Sequence, residues 1–129
     1  MNKNILSILD VKDEIEELID LAIQIKNDWK KGNDIRYLKG KKLAMIFERT
    51  SVRTRVSFEF GIQMLGGIAI SLTKEDIGIG TRESVEDIAL AMSRYADIIM
   101  YRALDKKDLH EFAHHATIPV INGLDIDEH

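Results

Sequence analysis

Apolar residues recur along this chain with more than one period, and the alternation predicts the architecture. In residues 10–31, Val11, Ile15, Leu18, Ala22, Ile25 and Trp29 follow at steps of four and three, the spacing of one stripe along a helix. After Gly32 a polar turn leads through Leu38, Lys39 and Gly40 to residues 42–47, a short apolar run of the kind that forms a buried parallel strand. A helix is predicted over residues 52–65, with Ser51 as its N-cap and Gly66-Gly67 as its stop. A strand over residues 68–72 and a glycine-bearing loop over 73–83 come next. Ser84 with Asp87 reads as a capping box for a helix whose apolar face is Val85, Ile88, Ala89 and Met92. A strand over 98–101, a helix over 106–116 and a last strand over 119–122, starting at a tolerated proline, complete the pattern.

Strands alternating with helices imply an α/β fold: a parallel sheet of about four strands with helices on both faces, joined by right-handed crossovers. Residues 1–129 read as one domain without repeats, low-complexity stretches or linkers. Ligands on such sheets sit beyond the carboxyl ends of the strands. Residues 51–55, Arg102 and the segment after Asn122 all fall just past such ends, so one rim is expected to carry one site.

The first of these segments has the most chemistry. Phe47-Glu48-Arg49-Thr50-Ser51-Val52-Arg53-Thr54-Arg55 places arginines and hydroxyl side chains where a strand stops and a helix starts. The helix N-terminus favours an anion through its free N–H groups and dipole, and arginine adds charge and forked donors. The bland alternative is a solvated basic turn capping an ordinary helix. Composition sharpens the choice, because the chain is acidic overall, with a net charge of −4. A basic loop in such a chain suits a small anion, and general attraction to nucleic acid is excluded. The absence of cysteine fits a reducing compartment. No apolar stretch approaches the ~20 residues of a membrane span and the first residues lack a signal-peptide core, so a cytoplasmic location without membrane contact is expected.

Ser51, Arg53, Thr54 and Arg55, followed by Val56-Ser57-Phe58-Glu59 and Leu65-Gly66-Gly67, resemble the carbamoyl phosphate signature of the aspartate/ornithine carbamoyltransferase family. Val52 departs from it, since the family usually has threonine there; the backbone N–H remains. The resemblance implies a carbamoyl phosphate-binding half, with the amino-acid domain absent from these residues. Its implied chemistry is carbamoyl transfer from carbamoyl phosphate to ornithine, giving citrulline and phosphate in arginine biosynthesis or arginine/ornithine metabolism. No metal or organic cofactor takes part. Aspartate or another amine is the alternative acceptor. Phe47-Glu48, which lacks the Glu-Pro of aspartate enzymes, and Val120-Ile121-Asn122-Gly123-Leu124 look more like the ornithine branch.

On this resemblance, Ser51, Val52, Arg53, Thr54, Arg102 and His129 bind carbamoyl phosphate. Thr54, Arg102 and His129 stabilise the developing oxyanion, and Arg55 braces the loop. His129 follows the 120–124 segment as the family histidine does. Gly78 and Arg82 lie in a loop that in the family reaches a neighbouring subunit, which implies a homotrimer or a multiple of trimers. Gly78 stands where ornithine enzymes often have glutamine.

Two further motifs point elsewhere. Gly78 and Gly80 suggest a dinucleotide loop, but the third glycine is missing and the preceding strand ends too early. His110-Glu111-Phe112-Ala113-His114 matches the His-Glu-x-x-His zinc hydrolase pattern. Here Leu109, Phe112, Ala113 and Ala116 form the buried face, leaving both histidines on the polar flank. A non-catalytic anion-binding or oligomerisation module is the remaining alternative.

Overall fold

A computed structural model describes residues 3–128. Its centre is a four-stranded, all-parallel sheet of order β2-β1-β3-β4. The strands are β1 (Lys42–Phe47), β2 (Ile68–Thr73), β3 (Ile98–Arg102) and β4 (Val120–Asn122). Helix α1 (Ile15–Lys30) precedes β1, and α2 (Val52–Met64) joins β1 to β2. A short α3 (Lys74–Ile77) and α4 (Val85–Tyr95) lead to β3, and α5 (Lys106–His115) leads to β4.

The chain steps from β1 outward to β2, then crosses back over β1 to β3 and β4. Right-handed crossovers therefore put α2 on one face and α4 with α5 on the other. Packing follows that division. Ala44, Ile46, Ile99 and Tyr101 meet Ile88, Leu109 and Phe112 in one core cluster, while Leu43, Met45, Phe47 and Met100 meet Ile62 in the other. The alternation along β1 is the pleat of a strand buried on both faces.

Several expectations change at this level. The predicted first helix divides: Ile8–Val11 forms a 3-10 turn capped by Ser7 and Asp10, and α1 begins at Ile15. No residue of α1 is buried, so its stripe joins neither core cluster. Ser51 is at the N-cap of α2, yet its side chain makes no capping bond. The predicted loop over 73–83 contains α3, held by a reciprocal box in which Thr73 and Asp76 cap each other. Conversely, Ser84 accepts from the Asp87 amide, and that bond caps α4. The amino-terminal segment adds an unpredicted extension beside β4: Ile5 donates to the Val120 carbonyl (2.9 Å) and accepts from the Asn122 amide (2.8 Å).

Among the described residues, no helix is long and apolar enough to cross a membrane.

Candidate functional site

Because β2 departs to one side of β1 and β3 to the other, the order reverses between β1 and β3. Such a switch point opens a crevice at the carboxyl ends of the two strands. The register pairs Phe47 with Arg102 there. Arg102 is the final residue of β3 rather than the residue after it.

Arg102 is buried, 8% exposed, and its guanidinium lies over the Phe47 ring, 6.0 Å from the centroid. Its Nε donates to the Gly123 carbonyl (2.8 Å) and its Nη2 to Thr54 Oγ1 (2.7 Å). The first turn of α2, the end of β3 and the segment after β4 thus meet at one side chain. Burial, and then the charge of Arg49, hold the Arg102 guanidinium below its ordinary pKa. An anion placed here would relieve the repulsion and replace part of the lost hydration.

The Gly123 acceptor is itself constrained. A Cβ on Gly123 would fall 2.1 Å from Met100 Sδ, so any larger residue here requires the Met100 side chain to move. Next to it Leu124 has φ 106°, an unusual backbone state for a branched residue. The Leu124 amide donates to Asn122 Oδ1 (2.9 Å), and Asn122 Nδ2 donates to the Leu6 carbonyl (3.0 Å) and to Asp125 (3.2 Å). Asp125 accepts from the Asp127 and Glu128 amides (2.7 and 2.8 Å). Burial opposes its charge, but those amide bonds, with Lys106 and Asn122, outweigh it and hold its carboxyl below the usual range.

The other expected residues are distributed around this centre. Ser51 is half-buried and Val52 exposed at the start of α2, where the helix presents its first N–H groups. Arg53 is exposed. Arg55 pairs with Glu59 one turn on within α2 (3.4 Å). Arg55 also lines a cleft of about 630 Å³ with Glu48, Ser51, Val52, Phe60 and Ser71, which neither Arg53 nor Arg102 borders. The fold therefore brings Thr54 and Arg102 into contact, sets Ser51 and Val52 beside them in sequence, and leaves Arg53 in solvent. His129 lies outside the described residues.

Gly78 ends α3 in the left-handed conformation (φ 66°), and a Cβ there would come within 2.6 Å of Arg82 Nε. That accounts locally for glycine at this position. Arg82 folds back to donate to the Glu75 (2.6 Å) and Asp76 (3.2 Å) carbonyls, so its guanidinium serves its own loop. In α5, His110 and His114 are exposed while Leu109, Phe112 and Ala113 are buried. Among the described residues no three potential metal-ligating groups come together.

Sequence reasoning missed the Gly123 carbonyl and the Phe47 ring as Arg102 supports. It also missed the hydrogen bond from Tyr101 to Glu48. A carbonyl acceptor leaves no mark in a sequence.

Residues 3–129 match the family described as "Aspartate/ornithine carbamoyltransferase, carbamoyl-P binding domain". Ornithine carbamoyltransferase of Anoxybacillus flavithermus is 48% identical over 98% of this chain and 41% of its own length. That of Oceanobacillus iheyensis is 54% identical over 88% of this chain and 35% of its own length. The solved ornithine carbamoyltransferase from Pyrococcus furiosus superposes with a TM-score of 0.92 at 42% identity, covering 96% of this chain and 40% of that one. The chain spans about two fifths of the length of such relatives. With the match running from residue 3 to residue 129 and the signature at the β1–β3 switch point, the chain belongs to the aspartate/ornithine carbamoyltransferase family, in its carbamoyl phosphate-binding part.

Proposed function

We propose that this domain binds carbamoyl phosphate and, as part of a complete ornithine carbamoyltransferase, supports transfer of the carbamoyl group to ornithine. The observation that carries the reading is the Arg102–Thr54 bond, which joins two separate segments beside a helix N-terminus. Ser51, the Val52 amide, Arg53, Thr54 and Arg102 hold the phosphate, and Arg53 turns inward from solvent when the anion arrives. A neutral amine attacks the carbonyl carbon. The oxygen gains charge, which Thr54, Arg102 and His129 stabilise; the carbonyl then re-forms as the carbon–oxygen bond to phosphate breaks, and the departing phosphate takes the proton lost by the amine nitrogen. Donors fixed before reaction, like Arg102 Nη2, lower such barriers by several kcal/mol. The transfer needs no metal or organic cofactor. Ornithine is favoured over aspartate by the named relatives together with Phe47-Glu48 and the 120–124 segment.

Calorimetric titration with phosphonoacetamide, a carbamoyl phosphate mimic, tests the binding step. Arg53→Ala is expected to weaken it roughly ten- to hundredfold, the worth of a charge-assisted contact. Equal affinities would remove Arg53 from the site. Citrulline assays test the rest. The 129-residue chain alone is expected to be inactive, because holding both reactants in an attack geometry can account for about 7–11 kcal/mol of barrier and the acceptor's site belongs to the amino-acid domain. Turnover by the isolated chain would show that the acceptor site was misplaced.

The assembly is a homotrimer or a multiple of it, in the cytoplasm. Support comes from exposed Val52, Val56 and Phe60 on α2 and Ile68 and Ile70 on the edge strand β2, apolar side chains that flank one sheet edge. A surface of that kind calls for cover. Sedimentation equilibrium giving only monomer at high concentration would refute self-association.

A further inference from the structure

The bond between Tyr101 and Glu48 has no part in the chemistry above, yet it lies at the same switch point. Tyr101 is fully buried in the cluster under α4 and α5, its ring edge-on to Phe112 at 5.2 Å. Its hydroxyl donates to the Glu48 carboxylate. The Glu48 amide in turn donates to the carbonyl of Arg102 (3.0 Å). Glu48 is thus tied to two consecutive residues of β3, once by its side chain and once by its backbone.

The pleat explains what this tie does. Tyr101 and Arg102 are adjacent, so their side chains leave opposite faces of the sheet. Tyr101 cannot touch an anion held by Arg102; it acts on that site through Glu48 and the backbone. Residues 48–51 are the link between β1 and α2, and they carry Ser51 and Thr54 toward Arg102. Beside the tie, the Glu48 amide, the Phe47 ring under the Arg102 guanidinium and Thr54 also join the exit of β1 to the exit of β3; of these four links the tie is the one made by a side chain of the 48–51 segment.

A half-buried carboxylate needs such a donor. Glu48 has the like charge of Asp108, at the start of α5, near it: burial first, and then Glu48, hold the Asp108 carboxyl above the usual range. Burial first, and then Glu48, likewise push the Tyr101 hydroxyl up, so it stays a neutral donor. Loss of the hydroxyl leaves the carboxylate among like charges, which favours its movement into solvent with the loop attached.

We infer that Tyr101 and Glu48 are positioning residues whose hydrogen bond fixes the spacing between the signature loop and Arg102, and thereby the affinity for a phosphate group. The inference rests on the assignment of Arg102 and Thr54 to the phosphate site.

The test compares Tyr101→Phe, Glu48→Ala, Glu48→Gln and the core control Ile88→Ala, with phosphonoacetamide titrated well below each unfolding temperature. Tyr101→Phe and Glu48→Ala are expected to bind about tenfold more weakly, the loss of one hydrogen bond to a charged group. Glu48→Gln keeps an acceptor for Tyr101 and is expected to keep the affinity. Ile88→Ala loses stability and keeps the affinity, which separates positioning from general weakening. Equal binding by Tyr101→Phe and the wild type overturns the inference. If the wild type itself does not bind the probe, the proposed function fails, and hydrogen exchange decides the tie separately. The Glu48 amide, measured relative to that of Ile99, is expected to exchange faster in Tyr101→Phe and not in Ile88→Ala. An unchanged ratio in Tyr101→Phe overturns the inference as well.

Discussion

Two faces of one sheet are finished differently. Under α4 and α5, Ile46, Ile99, Tyr101, Leu109, Phe112 and Val120 are sealed at 0% exposure. On the other face α2 stands alone, and beside it an apolar groove of about 350 Å³ runs between Leu38, Leu43, Phe58, Ile62, Ile98 and Ile121. Helix α1 adds exposed Leu18, Leu21 and Trp29 without joining either core. Arg102 emerges on the open side, over Phe47, while Tyr101 braces it from the sealed side. The difference teaches a division of labour: the sealed face holds the larger buried cluster, and the open face carries the proposed anion site and unfinished apolar surface.

The largest test of that division is Phe112→Ala. It removes a wholly buried ring from the sealed face and is expected to cost about 3–5 kcal/mol. Phe58→Ala on the open face is expected to cost less than half of that. Urea unfolding of both variants measures the contrast; equal losses would mean that the two faces stabilise the fold alike.

Gly123→Ala strikes the seam between the faces. Its new methyl meets Met100 Sδ and displaces the carbonyl that holds Arg102. A loss of about 1–3 kcal/mol is expected from overpacking, together with weaker phosphonoacetamide binding. Normal affinity in a destabilised variant would detach the Gly123 carbonyl from the site.

A smaller effect is expected from pH. The folded Asp125 carboxyl titrates below its unfolded value of about 3.9. Its stabilisation is therefore complete above that pH and is lost as pH falls through the folded value. Asp125→Asn is expected to lower stability by about 1 kcal/mol at neutral pH and to flatten its decline below pH ~4. Thermal unfolding between neutral and acid pH reads both; an unchanged acid slope would show that Asp125 is not the titrating group.

Least affected is the free stripe of α1. Leu18→Gln is expected to change stability by about 0.5 kcal/mol or less, as for a surface position. A loss of several kcal/mol would show α1 to be covered in solution and would break the contrast between the faces.

Much of the fold was legible because β1 holds an unbroken apolar run of strand length and α5 buries apolar residues at helical spacing. The alternation of elements gave the parallel sheet, and strand polarity put Ser51, Thr54 and Arg102 on one rim. One local error has a physical cause: Thr73 and Asp76 carry a capping pair, but a single helical turn ended by Gly78 is too short to show an apolar period. Ser51 takes the N-cap position its residue type suggests, although its hydroxyl makes no capping bond.

The site was legible in its residue types, and its geometry was not. The signature run, with Arg102 at a strand end, pointed to the proposed anion chemistry and identified the family, since short-range order and side-chain chemistry are written residue by residue. Only the tertiary structure decided that Thr54 bonds Arg102, that the Gly123 carbonyl receives its Nε, and that Tyr101 holds Glu48. It also decided that the α1 stripe is left uncovered. Those contacts join segments separated by 48, 21 and 53 residues. They depend on which strands become neighbours and in what register, a choice made by the packing of the whole sheet and by no stretch of sequence alone.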